Sequence, residues 1–220
     1  MTDRVNYGLI GCGMMGGEHI RNIALVPGAR VSVVFDPVPE LAQAAAAQAG
    51  GALVAGSLAA LLDHAELDAL VIVSPNHLHV PQLQQIAAHG RALPILCEKP
   101  LYTDPAQAVW IADFRATYPA PVWVAMEYRY MPPVAALIAQ AATATGGVQM
   151  LTIREHRFPF LPKIGDWNRF NRNSGGTLVE KCCHFFDLMR HVLGSDPVRV
   201  MASAGQAVNH LDESYDGAVP

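Results

Sequence analysis

The chain has 220 residues, 51% of them hydrophobic and 15% charged, with a formal net charge of −4. That is enough length to bury a core in one large domain or two modest ones, and without a basic surplus a phosphate-tracking nucleic-acid binder is excluded. The opening stretch MTDRVNYGLIGCG has no signal-peptide h-region, and no run reaches the ~18 apolar residues of a membrane helix, so a soluble, cytoplasmic protein is predicted, with no membrane partner. Cysteines at 12, 97, 182 and 183 form no spaced framework and are expected to be reduced thiols.

In chain order, VNYGLIG reads as a strand, GEHIRNIALV as a helix, ARVSVVFD as a strand and PELAQAAAAQAG as an Ala-rich helix. GALV, the helix SLAALLDH, the strand LDALVIVS, the helix HVPQLQQIAAHG, the strand LPILCEKP, the helix DPAQAVWIADFRATY and the strand PVWVAMEY follow. Strands that are apolar throughout and alternate with helices are what a parallel sheet covered on both faces needs. The predicted fold class is α/β, a Rossmann-type doubly wound parallel sheet over residues 1–127. Beyond it, MPPVAALIAQAATATGG predicts a helix closed by Gly146 and Gly147, VQMLTIREHRF a strand, and VRVMA the opening of another. PFLPKIGDWNRFNRNSGG is a long irregular segment whose Trp and Phe residues argue against disorder. Residues 128–220 thus read as the start of a second, α+β domain that is incomplete as it stands.

GLIGCGMMGGEH carries Gly11, Gly13 and Gly16 as GxGxxG between the first strand and the first helix. Gly11 permits the tight turn, Gly13 lets a pyrophosphate approach the backbone, Gly16 lets helix and sheet pack closely, and the helix start supplies N–H groups. Asp36 closes the next strand, where its carboxylate can accept the ribose hydroxyls of a bound dinucleotide. The following PVPE offers no Arg for a 2′-phosphate, which favours NAD over NADP. The bland alternative is a plain turn and a strand-end cap. Cys12, inside the loop, is expected to pack.

SPNHLHVP (74–81) and CEKPL (97–101) end the fourth and fifth strands, and a later stretch reads GGTLVEKCCHFFD. With the glycine motif, these resemble the Gfo/Idh/MocA family, the glucose-fructose oxidoreductase and inositol dehydrogenase group. The resemblance implies a cofactor set of Gly11, Gly13, Met14, Met15, Gly16, Asp36, Ser74, Pro75, Asn76, His77, Glu98 and Lys99, and a cis bond before Pro100. It also implies a second domain with an open, mostly antiparallel sheet, a homo-oligomer (dimer or tetramer), and a longer chain than this one. Read alone, Lys99 could be an ordinary surface lysine at a strand end; His79 and His89 fall on the next helix and are expected to be structural.

VEKCCHFFDLMR (179–190) puts two cysteines and a histidine side by side. On a continuous helix with Glu180 at zero, His184 falls at about +40°, Asp187 at about −20° and His191 at about +20°, one shared face. Cys182, Phe185, Phe186, Met189, Val192 and Leu193 cover the other, which predicts an amphipathic helix packed through them. Successive side chains diverge by about 100°, so Cys182, Cys183 and His184 cannot converge on a metal ion, and no metal is expected. By the resemblance, His184 is the general base and Lys99 its partner on the substrate oxygen, while Glu180 stands where the family has Asp. Thr177 and Glu180 also match a capping box, so helix closure and substrate contact stay open for Glu180. For Asp187 the alternatives are substrate contact and the holding of a neighbouring loop. Arg157 at the end of the predicted strand 148–158 and Trp167 in the irregular segment, with Tyr128 and Arg129, complete the candidate substrate set for a sugar or polyol.

The expected activity is NAD-dependent oxidation of a secondary hydroxyl in a sugar, inositol or related polyol. The alternatives are a sugar-modifying enzyme that uses NAD transiently, as some glycosidases of the family do, and a non-catalytic dinucleotide or sugar sensor.

Overall fold

A computed structural model describes residues 4–156, 161 and 163–203. The chain divides into two compact units, Met1–Ala125 and Met126–Pro220.

In the first unit, six parallel strands form one sheet in the order β3-β2-β1-β4-β5-β6. They are β1 (Val5–Ile10), β2 (Ala29–Phe35), β3 (Leu53–Val54), β4 (Ala69–Ile72), β5 (Ile95–Cys97) and β6 (Val122–Val124). The connecting helices are α1 (Met14–Ala24), α2 (Pro39–Gln48), α3 (Leu58–Leu62), α4 (His79–His89) and α5 (Ala108–Thr117). The strand order reverses between β1 and β4, the place where a doubly wound sheet opens a crevice beyond its carboxyl ends.

Neighbouring residues on each central strand serve opposite faces, as the pleat requires. Ile10, Val33 and Ile72 pack with Leu61, Leu62, Leu83, Ile86 and Phe114 on the α3, α4 and α5 side. Leu9, Val34 and Val71 pack with Ile20, Ala45 and Ala46 on the α1 and α2 side. Local chemistry sets the helix ends: Ser57 Oγ accepts from the Ala60 amide at 3.0 Å at the start of α3, and Gly90, left-handed at φ 81°, closes α4. The next residue, Arg91, spreads its guanidinium over the carbonyls of Leu62, His64, Ala65 and Leu67 at 2.6–3.1 Å, tying down the chain between α3 and β4.

The second unit contains α6 (Pro132–Thr145), closed by left-handed Gly146 as its sequence predicts, a 3-10 segment Ile164–Arg169, α7 (Asn171–Ser174), α8 (Gly176–Glu180) and α9 (Cys183–Leu193). The stretches 148–156 and 198–203, predicted as strands, take no regular structure. A strand is held by ladder hydrogen bonds, and no neighbour supplies one here among the described residues.

The continuous helix expected across 179–190 is broken. Lys181, at φ −112°, ends α8, and α9 starts anew at Cys183, so the single-helix projection does not carry Glu180 onto the face of His184. Thr177 lies inside α8, whose N-cap is Gly175 with no side-chain cap, so the capping box is not formed. The buried stripe of α9 also differs from the expected one: His184 and Leu188 are buried, whereas Phe186 and Leu193 are exposed. On the His184 side α9 packs against the 3-10 turn Glu127–Tyr130.

Candidate active site

The first unit gathers chemistry at the carboxyl ends of β1, β2, β4 and β5. Gly11 sits at φ +98°, and a Cβ there would come within 2.6 Å of the Ser74 amide, so the turn after β1 fits only because it is bare. A Cβ on Gly16 would meet the Gly11 carbonyl at 2.6 Å, which is the close approach of α1 to the sheet. Above Gly13 there is open space within 4 Å, and among the described residues no side chain caps the start of α1. A pyrophosphate fits this cradle: bare backbone, undirected N–H groups and the positive end of a helix dipole. Met14 and Met15 stand exposed beside it.

Asp36 follows β2. Its Oδ2 accepts from the Cys12 amide at 2.8 Å and its Oδ1 from the Val38 amide at 2.9 Å, which locks the glycine turn to the end of β2. Each oxygen retains a lone-pair direction for a ribose hydroxyl. Cys12 is buried; burial, then the Asp36 charge, push its thiol up to about 12, so it packs as a neutral group.

After β4, Ser74 donates from Oγ to Gln82 Oε1 at 2.6 Å, Pro75 precedes a 3-10 turn Asn76–Leu78, Asn76 is buried and His77 half-buried. His79 is wholly buried, with Nδ1 at 2.8 Å from the Pro100 carbonyl and Nε2 at 3.0 Å from the Ser74 carbonyl. Both neighbours are acceptors, so the neutral ring donates to one and the protonated ring to both. Burial holds this imidazole below its ordinary value against the two carbonyls and the Glu98 charge. After β5 come Glu98, Lys99 and Pro100, the last behind a cis peptide bond. Glu98 Oε1 pairs with His19 Nε2 at 2.8 Å, and Oε2 accepts from the Lys99 amide at 3.2 Å. Burial opposes ionisation of Glu98, but the His19 hydrogen bond, the His19 and Lys99 charges and the Lys99 amide outweigh it and hold the carboxyl below its usual range. Two open hollows of about 380 and 390 Å³ lie against the amino-terminal end of β2, away from this chemistry.

The second unit has its own polar cluster. His184 is buried, its ring stacked on Tyr128 with centroids 4.1 Å apart and planes 6° from parallel, and its Nε2 is 3.5 Å from Glu127 Oε1. Arg129 grips Asp187 with two N–H groups, Nε to Oδ2 at 2.6 Å and Nη2 to Oδ1, so these two candidate substrate residues are engaged with each other. Glu180 is buried at the end of α8. Lys181 is buried too, its ammonium donating to the Tyr128 hydroxyl and lying 3.7 Å from Glu155 Oε1. Trp167 is half-buried in the 3-10 segment, and Arg157 lies outside the described residues. None of the four cysteines is in a disulfide. Burial, then Glu155, raise Cys182 above its ordinary value, although Lys181 opposes them. Among the described residues no three His, Cys, Asp or Glu side chains are grouped to hold a metal ion, and no helix is long and apolar enough to cross a membrane.

His19, Glu127 and Lys181 escaped the sequence reading. His19 had one usable signal: it follows Gly16 by three residues, on the side of α1 that meets the sheet.

The strand order, the glycine cradle at the start of α1 and the carboxylate after β2 define a dinucleotide-binding Rossmann domain. Residues 5–126 match the Gfo/Idh/MocA oxidoreductase family, NAD-binding Rossmann fold, and residues 144–219 match that family's C-terminal alpha/beta domain. The chain belongs to the Gfo/Idh/MocA family, and its nucleotide is NAD. An inositol 2-dehydrogenase of Streptomyces avermitilis is 41% identical over 117 residues, 53% of this chain and 34% of the relative. One from Leifsonia xyli subsp. xyli is 31% identical over 196 residues, 88% of this chain and 55% of the relative. A crystal structure from Sinorhizobium meliloti 1021, assigned as a myo-inositol dehydrogenase, superposes with a TM-score of 0.76 at 30% identity, covering 88% of this chain and 56% of that one. The chain thus spans little more than half the length of the longest of these matches.

Proposed function

We propose that the protein is an NAD-dependent dehydrogenase that oxidises a secondary hydroxyl of a polyol, with inositols the first substrates to test. The observation that carries this is the Glu98-Lys99-Pro100 loop at the carboxyl end of β5, in the same sheet as a cradle with room for a pyrophosphate over Gly13. The inositol dehydrogenase relatives support the substrate class.

In this reading the amides at the start of α1 hold the pyrophosphate, Asp36 holds the adenosine ribose, and the loops after β4 and β5 flank the nicotinamide half. NAD bound there supplies the hydride acceptor. Lys99 donates a hydrogen bond to the substrate hydroxyl oxygen and stabilises the negative charge that grows on it as its proton departs. His184 takes that proton on Nε2, a task suited to a side chain whose ordinary value lies near neutrality. Glu127 at 3.5 Å and the face of Tyr128 then stabilise the imidazolium. Glu180 contacts the substrate or orients it, and the second unit belongs to an α+β domain of the open, mostly antiparallel type.

The test is NADH formation by the full-length protein across a panel of inositols, sugars and linear polyols. His184→Ala is expected to cost at least about 10²-fold in kcat while NAD affinity stays within about threefold, because general-base removal acts on the proton transfer. NAD binding without turnover of any polyol refutes the dehydrogenase reading, and wild-type turnover in His184→Ala refutes the assignment of the base.

A further inference from the structure

We propose that His19 is a positioning residue: acting through Glu98, it fixes where Lys99 stands, while His79 holds the other side of the same loop. This rests on the oxidoreductase reading above.

Glu98, Lys99 and Pro100 are consecutive residues leaving β5, and each flank of the lysine is tied to a different helix. On one side, His19 of α1 meets Glu98 Oε1 at 2.8 Å, and the second oxygen of the same carboxylate takes the Lys99 amide at 3.2 Å. On the other, His79 of α4 reaches the Pro100 carbonyl at 2.8 Å and, through its second nitrogen, the Ser74 carbonyl at 3.0 Å. The loop bearing Lys99 is therefore joined to the glycine-motif helix and to the loop after β4, which are the other two walls of the candidate nicotinamide site. The Glu98 side chain is 11% exposed and that of His19 15%. A carboxylate so buried needs a directed partner, and if it loses one it must either drag its backbone toward water or take up a proton. Either response shifts the Lys99 amide that the carboxylate holds. Lysine has a long, freely rotating stem, so the precision of its ammonium depends on how firmly its backbone is seated, and small misplacement of a reacting group is costly in rate. His19 is thus tied to Lys99 through one carboxylate.

The test uses the full-length enzyme. His19→Leu removes the donor, and His19→Gln offers an amide N–H at similar reach. With an active wild type, His19→Leu is expected to lower kcat about 10- to 100-fold with KM for NAD within about threefold, and His19→Gln to recover most of that loss. In a Glu98→Gln background the Leu substitution should cost little more, because both changes break one chain of contacts. Losses that multiply independently, or a His19→Leu enzyme with wild-type kcat, overturn the proposal. Long-range 1H–15N NMR of the wild-type imidazoles gives a readout that does not depend on turnover: His19 should carry its proton on Nε2. A bare Nε2 overturns the inference whatever the activity, whereas a protonated Nε2 in a protein that oxidises no polyol refutes the dehydrogenase reading and leaves the His19–Glu98–Lys99 link standing.

Discussion

At the scale of single residues, the glycine turn separates two roles that one motif combines. Gly13 has φ −77° and nothing within 4 Å of a built Cβ, so Gly13→Ala asks nothing of the fold. Its stability should stay within about 1 kcal/mol of wild type, a poorer N-cap being offset by a less floppy unfolded chain. NAD affinity should fall, because the methyl occupies the pyrophosphate's approach. Gly11→Ala should do the reverse damage, costing roughly 2 kcal/mol or more through left-handed strain and the clash with Ser74. Urea unfolding alongside NAD titration separates the two, and loss of stability in Gly13→Ala would contradict the open cradle. These residues were legible in the sequence because a turn, a phosphate cradle and a strand-end carboxylate are encoded within a few dozen positions. The pairings of His19 and Lys181 were not, since their partners stand 79 and 53 residues away and only folding brings them together.

At the scale of elements, the strands and helices of the first unit followed from periodicity, because a parallel sheet buried on both faces writes itself as apolar runs. Periodicity could not reveal the break at Lys181, where Glu180, His184 and Asp187 keep helical spacing in sequence while the backbone turns. The turn accompanies a long-range contact, the Lys181 ammonium with Tyr128, and so lies beyond any local pattern. A comparable long-range device, Arg91, holds the chain between α3 and β4. One planar guanidinium serves four carbonyls there, a geometry that an ammonium with three donors cannot copy. Arg91→Ala should cost about 3 kcal/mol by removing the guanidinium that these carbonyls share, and Arg91→Lys should recover only part. Hydrogen exchange should show the loss first at the α3–β4 connection, and uniform exchange across the sheet would argue against a local tie.

At the scale of the whole molecule, buried titratable groups of the first unit predict how stability varies with pH. His79 and Glu98 both have folded values below their ordinary 6.5 and 4.5. Each therefore binds protons more readily unfolded than folded, and its contribution is complete above its ordinary value and lost as pH falls toward the folded one. Stability should begin to decline below about pH 6.5 as unfolded His79 protonates, and decline further below about 4.5 as Glu98 joins it. Cys12 and Cys97 act at the other end. Burial, followed by the Asp36 charge for Cys12 and the Glu98 charge for Cys97, holds both thiols above their ordinary 9.0. Above that pH the unfolded chain releases their protons while the folded one keeps them, so each thiol should remove about 1.4 kcal/mol of stability per pH unit. Urea unfolding, followed through Trp110 and Trp123 of the first unit from pH 3.5 to 10.5, should trace a plateau with falling limbs on both sides. Cys12→Ala with Cys97→Ala should flatten the alkaline limb and leave the acid one in place. An alkaline limb unchanged in that double variant would place its origin elsewhere, and a flat acid limb in wild type would mean that His79 is not held neutral by its burial.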